Sequence, residues 1–252
     1  MILQTLPLYP ERHTALTCYL QEVDGGYRQL HRRPGILVIP GGGYQYCSLR
    51  ESDPVVSVFL SAGYQVFLLH YSVAEHAAWP NPLLDYDRAM ETIDAHRDEW
   101  HLLSGRLAVI GFSAGGHLAA AGATLGTHRP DAVILGYALL GKDIARYADG
   151  PSLIEHVTND TPPCFLFAAR TDHSVPVDNT LQFVRALEDH GVVYECHIYS
   201  HGPHGFSTGD TSVQDASVMP RSAYHWTEDA LSFLTDVMGG MNNGVPTPPA
   251  RT

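Results

Sequence analysis

Lysine is nearly missing from this chain. Lys142 is the only one, and arginine supplies the rest of the 15 basic residues against 27 acidic ones, for a formal charge of -12. A surface that negative repels phosphate backbones and anionic lipid, so neither nucleic acid nor a membrane is expected as a partner. The 15 histidines make -12 a limit, because some of them charge just below neutral pH. Close-spaced cysteines are missing too: Cys18, Cys47, Cys164 and Cys196 lie far apart, which excludes zinc ribbons and dithiol redox motifs and predicts free, mostly buried thiols. No apolar run approaches the ~18 residues of a membrane span. The opening MILQTLPLYPERHT has prolines and charges where a secretory leader has a basic start and an apolar stretch, so a cytoplasmic protein is expected. No internal repeat is visible.

What is present is an alternation. With 252 residues, 44% hydrophobic and 17% charged, the chain is long enough for a substantial core and short enough for one domain. Short apolar runs recur at 35–40 (GILVIP), 64–71 (YQVFLLHY), 106–112 (RLAVIGF), 131–137 (DAVILGY), 164–169 (CFLFAA) and 194–200 (YECHIYS). Most are apolar throughout, the mark of strands covered on both faces and hence of a parallel sheet. Between them DPVVSVFLSAG, PLLDYDRAMETIDAHRDEW, SAGGHLAAAGATLG, VDNTLQFVRALEDHG and YHWTEDALSFLTDVM space apolar residues three and four apart, with Gly63 and Gly191 at C-cap positions. Strands alternating with helices predict an α/β layered fold, as one domain over 1–238. TALTCYL, 14–20, is expected to begin an edge hairpin. The tail at 239–252, rich in Gly, Pro and Asn, is expected to stay disordered or lean on the surface, and 141–160 is long enough to form a small flap.

The stretch VIGFSAGGHLAA, 109–120, fits G-x-S-x-G, with an apolar strand before it and an alanine-rich helix after it. A serine at a sharp strand-to-helix turn sits in strained backbone and brings the positions two before and two after together, so Gly111 and Gly115 leave room where side chains would clash. The alternative reading is that Ser113 merely caps the helix. A nucleophilic serine needs a base, and the base needs a partner that fixes its tautomer. After CFLFAA comes RTDHSVPVDN with Asp172, and after the last strand comes HGPHGFS with His204. The order Ser, Asp, His is that of the strand-turn-helix hydrolases. Asp178 is a rival acid but reads as a helix N-cap. His201 competes for the base, and His197, His201 and His204 together are a weaker metal reading, with no assured convergence. His117, one turn beyond Ser113, reads as a packed or hydrogen-bonded structural histidine.

A tetrahedral oxyanion also needs donors. IPGGGY supplies them: Gly43 and Ala114 are the preferred backbone N–H groups, with Gly42 the alternative, on a loop that begins at Gly41. Phosphate readings fail on inspection. GGGYQY has Tyr46 where a dinucleotide fingerprint needs its third glycine, and GYALLGKD, 136–143, has Asp143 where a P-loop needs Ser or Thr.

With these residues in place, the chain resembles the α/β-hydrolase superfamily. Within it, the likeness is to the small carboxylesterase and acetylesterase branch related to hormone-sensitive lipase and to BD-FAE type feruloyl and acetylxylan esterases. It runs through PGGGY with Ser48, Glu51 and Pro54, then GYQVFLLHYSV, WPNPLLDYDRAM, GFSAGGHLAA, PPCFLFAARTDHSVPVDNTLQFVRALEDHGV and GPHGF, most of residues 30–238. Pro40 departs from the histidine that lipase-like relatives carry before the glycines, so the loop is anchored differently. The resemblance implies a mostly parallel sheet flanked by helices on both faces, a minimal lid, triad roles for Ser113, Asp172 and His204, and no metal or organic cofactor. The activity it implies is serine carboxylic-ester hydrolysis of short, chiefly acetyl, groups, with acetylated sugars or xylo-oligosaccharides as the small-molecule substrate. Feruloyl or aryl esters, a peptidase and a non-catalytic binding protein are the alternatives. Tyr44, Tyr46, Trp79 and Phe206 lie in loops near the expected site, where they either stack on a sugar or phenolic alcohol or pack ordinarily. A homo-oligomer is compatible with such a fold, with no interface identified.

Overall fold

The computed structural model describes residues 1–27 and 30–241. Eight strands form one sheet in the order β1-β2-β4-β3-β5-β6-β7-β8. The six predicted apolar runs become β3 (Arg33–Ile39), β4 (Gln65–His70), β5 (Leu102–Phe112), β6 (Ala132–Gly136), β7 (Cys164–Ala169) and β8 (Tyr194–Tyr199), all parallel to their neighbours within this set. TALTCYL is β2 (Thr14–Leu20), which runs antiparallel to β4 and closes a hairpin with β1 (Ile2–Tyr9) rather than opening one. β1 is half exposed, with Pro7 in it, as an edge strand tolerates.

All seven residues of β3 are buried. Its alternate side chains enter two separate layers. Leu37 and Ile39 pack with helices α2 (Asn81–Ala95), α3 (Ala114–Thr124) and α4 (Asp178–Asp189) on one face. Ile36 and Val38 pack with α1 (Asp53–Ser61) and α5 (Trp226–Met238) on the other. This two-sided cover is why the strands are apolar throughout instead of alternating. α3 is buried along its whole length, and its Ala and Gly residues let it lie close on the sheet.

Of the predicted tail, Met241 packs on the body and Arg106 donates to the Gly240 carbonyl; 242–252 lies outside the described residues. The segment 141–160 forms two short 3-10 turns, Lys142–Arg146 and Ile154–His156. The four cysteines are free thiols. Among the described residues no helix is long and apolar enough to cross a membrane.

Candidate active site

β5 turns into α3 at Ser113, whose backbone sits at φ 53°, ψ -118°, a conformation L-residues rarely adopt. The turn is possible only with glycines around it. A Cβ on Gly111 would lie 2.2 Å from the Gly115 carbonyl oxygen, and one on Gly115 would lie 2.3 Å from the carbonyl oxygens of Ile39 and Pro40. Ser113 N–H donates to Gly136 O at 3.0 Å, which ties the turn to β6. The hydroxyl makes no capping bond to the helix. It pairs instead with His204, Oγ to Nε2 at 2.8 Å.

His204 Nδ1 lies 2.7 Å from Asp172 Oδ2. The ionised carboxylate only accepts, so Nδ1–H donates to it and leaves Nε2 free to accept the serine proton. Asp172 follows β7 and is itself held: its Oδ1 accepts the N–H groups of Ser174 and Val175 at 2.8 and 2.9 Å. The three side chains thus meet at the carboxyl edge of the sheet, where loops after β5, β7 and β8 converge.

The competing side chains are elsewhere. Asp178 is the first residue of α4, where Val177 is the cap, and its carboxylate accepts from Gln182. His201 is exposed and bonds Ser200. His197 is held between Glu195 and Asp229 with its ring tilted against Phe165, so the three histidines do not converge. His117 is buried: Tyr44 OH donates to its Nδ1 at 2.7 Å, and its Nε2–H donates to Pro151 O at 2.9 Å. Burial pulls its pKa down to about 4, so it stays neutral.

Gly42 and Gly43, at φ 127° and 61°, face Ser113 across a cleft of about 300 Å³. Among the described residues the N–H groups of Gly42, Gly43 and Ala114 donate to nothing, whereas Gly41 N–H is taken by Glu51 Oε2 at 2.8 Å. Where lipase-like relatives have histidine, Pro40 is anchored through its carbonyl, which accepts Tyr71 OH at 2.8 Å.

The aromatic expectations divide. Tyr46, 59% exposed, lines the cleft. Tyr44 does not: its ring turns inward onto Tyr71 and His117 because its hydroxyl finds the buried imidazole there. Phe206 is also core, packed on Tyr137, Phe167 and Tyr199, since the turn after His204 folds back under the sheet. Trp79 rests edge-on against His117 and is not part of the cleft wall. Arg50, Tyr147 and Ser174 line the cleft without having been singled out from the sequence, and Tyr147 is how the 141–160 segment borders it. A polar loop residue gives no sign of which way it faces. Only the unusual length of 141–160 pointed to Tyr147.

Comparison with known proteins extends the likeness over the chain. Residues 27–132 match the BD-FAE family, and residues 142–240 match the prolyl oligopeptidase family. The crystal structure of MGS-M1, an alpha/beta hydrolase enzyme from a Medee basin deep-sea metagenome library, is 36% identical with a TM-score of 0.88, over 94% of this chain and 98% of that one. The chain belongs to the α/β-hydrolase family. A second solved structure, the acetyl ester-xyloside bifunctional hydrolase of Caldicellulosiruptor lactoaceticus, is 28% identical with a TM-score of 0.80, over 94% of this chain and 97% of that one. An acetylxylan esterase of Xylanibacter ruminicola is 26% identical over 90% of this chain and 52% of that protein. This α/β hydrolase spans from 33% to 60% of the length of the curated relatives it matches.

Proposed function

We propose that this α/β hydrolase is a serine esterase that removes short acyl groups, chiefly acetyl, with acetylated sugars such as xylo-oligosaccharides as the substrate class. Ser113 Oγ attacks the ester carbonyl as His204 Nε2 takes its proton. Asp172 holds the imidazole tautomer and balances the imidazolium. The amides of Gly43 and Ala114, with Gly42, receive the oxyanion, each such donor being worth on the order of 100- to 1000-fold in turnover. His204 returns the proton to the departing alcohol, and water, activated by the same imidazole, hydrolyses the acyl-enzyme.

The observation that carries this reading is the continuous chain of contacts from Ser113 through His204 to Asp172, at 2.8 and 2.7 Å. The acyl preference is supported by the size of the cleft, about 300 Å³. A long chain would outrun a cleft of that size, and each methylene left unburied forgoes about 0.8 kcal/mol. Support for acetylated sugars comes from the two relatives named for acetyl esters and from Tyr46 at the cleft.

The test is hydrolysis of 4-nitrophenyl acetate and labelling by a fluorophosphonate, by wild type and Ser113→Ala. Loss of both in the variant is expected, and full hydrolysis by the variant sinks the scheme. A panel of acetylated xylo-oligosaccharides, feruloyl esters and long acyl esters reads the substrate class. Cleavage of long acyl esters alone contradicts the short-acyl reading. The prolyl oligopeptidase match over 142–240 favours a second reading, a peptidase, which predicts cleavage of prolyl-peptide anilides in the same panel.

A further inference from the structure

One buried carboxylate has no part in the scheme above. Glu51 is 2% exposed and makes no ion pair among the described residues. Its two oxygens bind in different directions. Oε2 accepts the Gly41 N–H at 2.8 Å, at the root of the glycine loop. Oε1 accepts the Tyr137 hydroxyl at 2.8 Å. The Tyr137 oxygen in turn accepts the Ser207 N–H at 3.0 Å, and the Tyr137 ring meets the His204 imidazole edge-on at 5.1 Å. Ser207 closes the circuit, because its hydroxyl donates to the carbonyl of Arg50, the residue before Glu51.

We infer that Glu51 is a positioning residue for the reaction. It fixes the distance between the amides that would receive the oxyanion and the imidazole that would move the proton. The inference rests on the serine esterase reading. A buried carboxylate is costly to desolvate, and an apolar residue would fill the space at lower cost. What a carboxylate offers is acceptance at both ends, which an amide side chain cannot match because one end of it is a donor. With Gly41 N–H bound to Glu51 and Gly41 O accepting Ser48 N–H at 3.0 Å, the first glycine is pinned on both sides, and the amides of Gly42 and Gly43, residues that line the cleft, donate to nothing among the described residues. On the opposite side, Tyr137 supports the imidazole face and the turn that follows it. Loss of Glu51 therefore loosens both halves of the site together, and a misplacement of ~1 Å at such a site costs about 100-fold.

The experiment compares wild type, Glu51→Gln and Tyr137→Phe below their unfolding temperatures. The readouts are kcat and KM for 4-nitrophenyl acetate, and the inhibition constant of an aryl trifluoromethyl ketone. Ser113 Oγ would add to the ketone carbon, with the carbonyl electron pair becoming an alkoxide in the glycine loop and the hydroxyl proton passing to His204. The expected result for Glu51→Gln is a fall in kcat of about 10- to 100-fold, KM within about threefold, and ketone affinity falling in parallel with kcat/KM. A variant that is merely less stable, with kcat and ketone affinity kept, overturns the inference. Should Glu51→Gln not fold, Tyr137→Phe, which deletes one oxygen, must lower kcat and ketone affinity; unchanged values there overturn it equally. Wild type that neither hydrolyses the ester nor takes the fluorophosphonate defeats the esterase reading itself, a result distinct from either of these.

Discussion

Acidification should unfasten the link that His117 makes between the glycine loop and the 141–160 segment. The ring is buried in α3, accepts Tyr44 OH and donates to Pro151 O, and its pKa falls from 6.5 to about 4 through burial. Protonation would put a second N–H against the Tyr44 oxygen and strand the phenolic proton. The folded state thus holds the proton less tightly than the unfolded state. The contribution to stability is complete above pH 6.5 and is lost as pH falls from there toward 4. The whole difference corresponds to roughly 3 kcal/mol, of which about 2 kcal/mol is lost between pH 7 and pH 5. Urea unfolding followed by tryptophan fluorescence at the two pH values measures it, with His117→Gln as the reference. Glutamine can accept from Tyr44 and donate to Pro151 but does not titrate, and His70, also lowered by burial, is present in both proteins and cancels. Wild type should lose about 2 kcal/mol more than the variant on going from pH 7 to pH 5. Equal losses would refute the linkage.

Two further outcomes follow from packing. Gly115→Ala drives a methyl to 2.3 Å from two backbone oxygens, so it should cost more than the ~1–3 kcal/mol of ordinary overpacking and abolish fluorophosphonate labelling of Ser113; a soluble variant with wild-type labelling contradicts the account of the turn. Phe206→Ala should lower the melting temperature by on the order of 10 °C, from a loss of about 3–5 kcal/mol, while Tyr46→Ala should leave it unmoved and raise KM for aryl esters; the opposite pattern in calorimetry and kinetics would reverse the assignment of the two rings.

The sequence was most legible where one physical cause dominates. Strands covered on both faces are apolar along their length, so the buried runs of β3 to β7 stood out, whereas β1, half in water and interrupted by Pro7, carried no such signal. The turn at Ser113 was legible because crowding leaves glycine as the residue that fits two before and two after it. Side-chain direction in loops was not. Tyr44 and Tyr46 are two residues apart in one glycine-rich segment, yet one points to a buried histidine and the other to the cleft. Phe206 follows the histidine loop into the core for the same reason that Trp226 does: the space under β6 and β7 is apolar and must be filled. Glu51 was visible as part of a family pattern, but in SLRESDP it looks like any acidic residue ahead of a helix. Its role depends on Gly41 and Tyr137, the latter far away in sequence.

The indole of Trp226, at the start of α5, donates to the Ser207 carbonyl at 2.9 Å and so seats the turn behind His204 from the far side of the sheet. Because a ribosome delivers this chain from its amino end, the serine, the acid and the imidazole all emerge before the helix that holds the last of them in register. Until α5 docks, a nascent chain carries Ser113, Asp172 and His204 yet lacks the indole that seats the turn behind the imidazole. Reactivity should therefore switch on when α5 docks, and an electrophilic probe of Ser113 would time that docking.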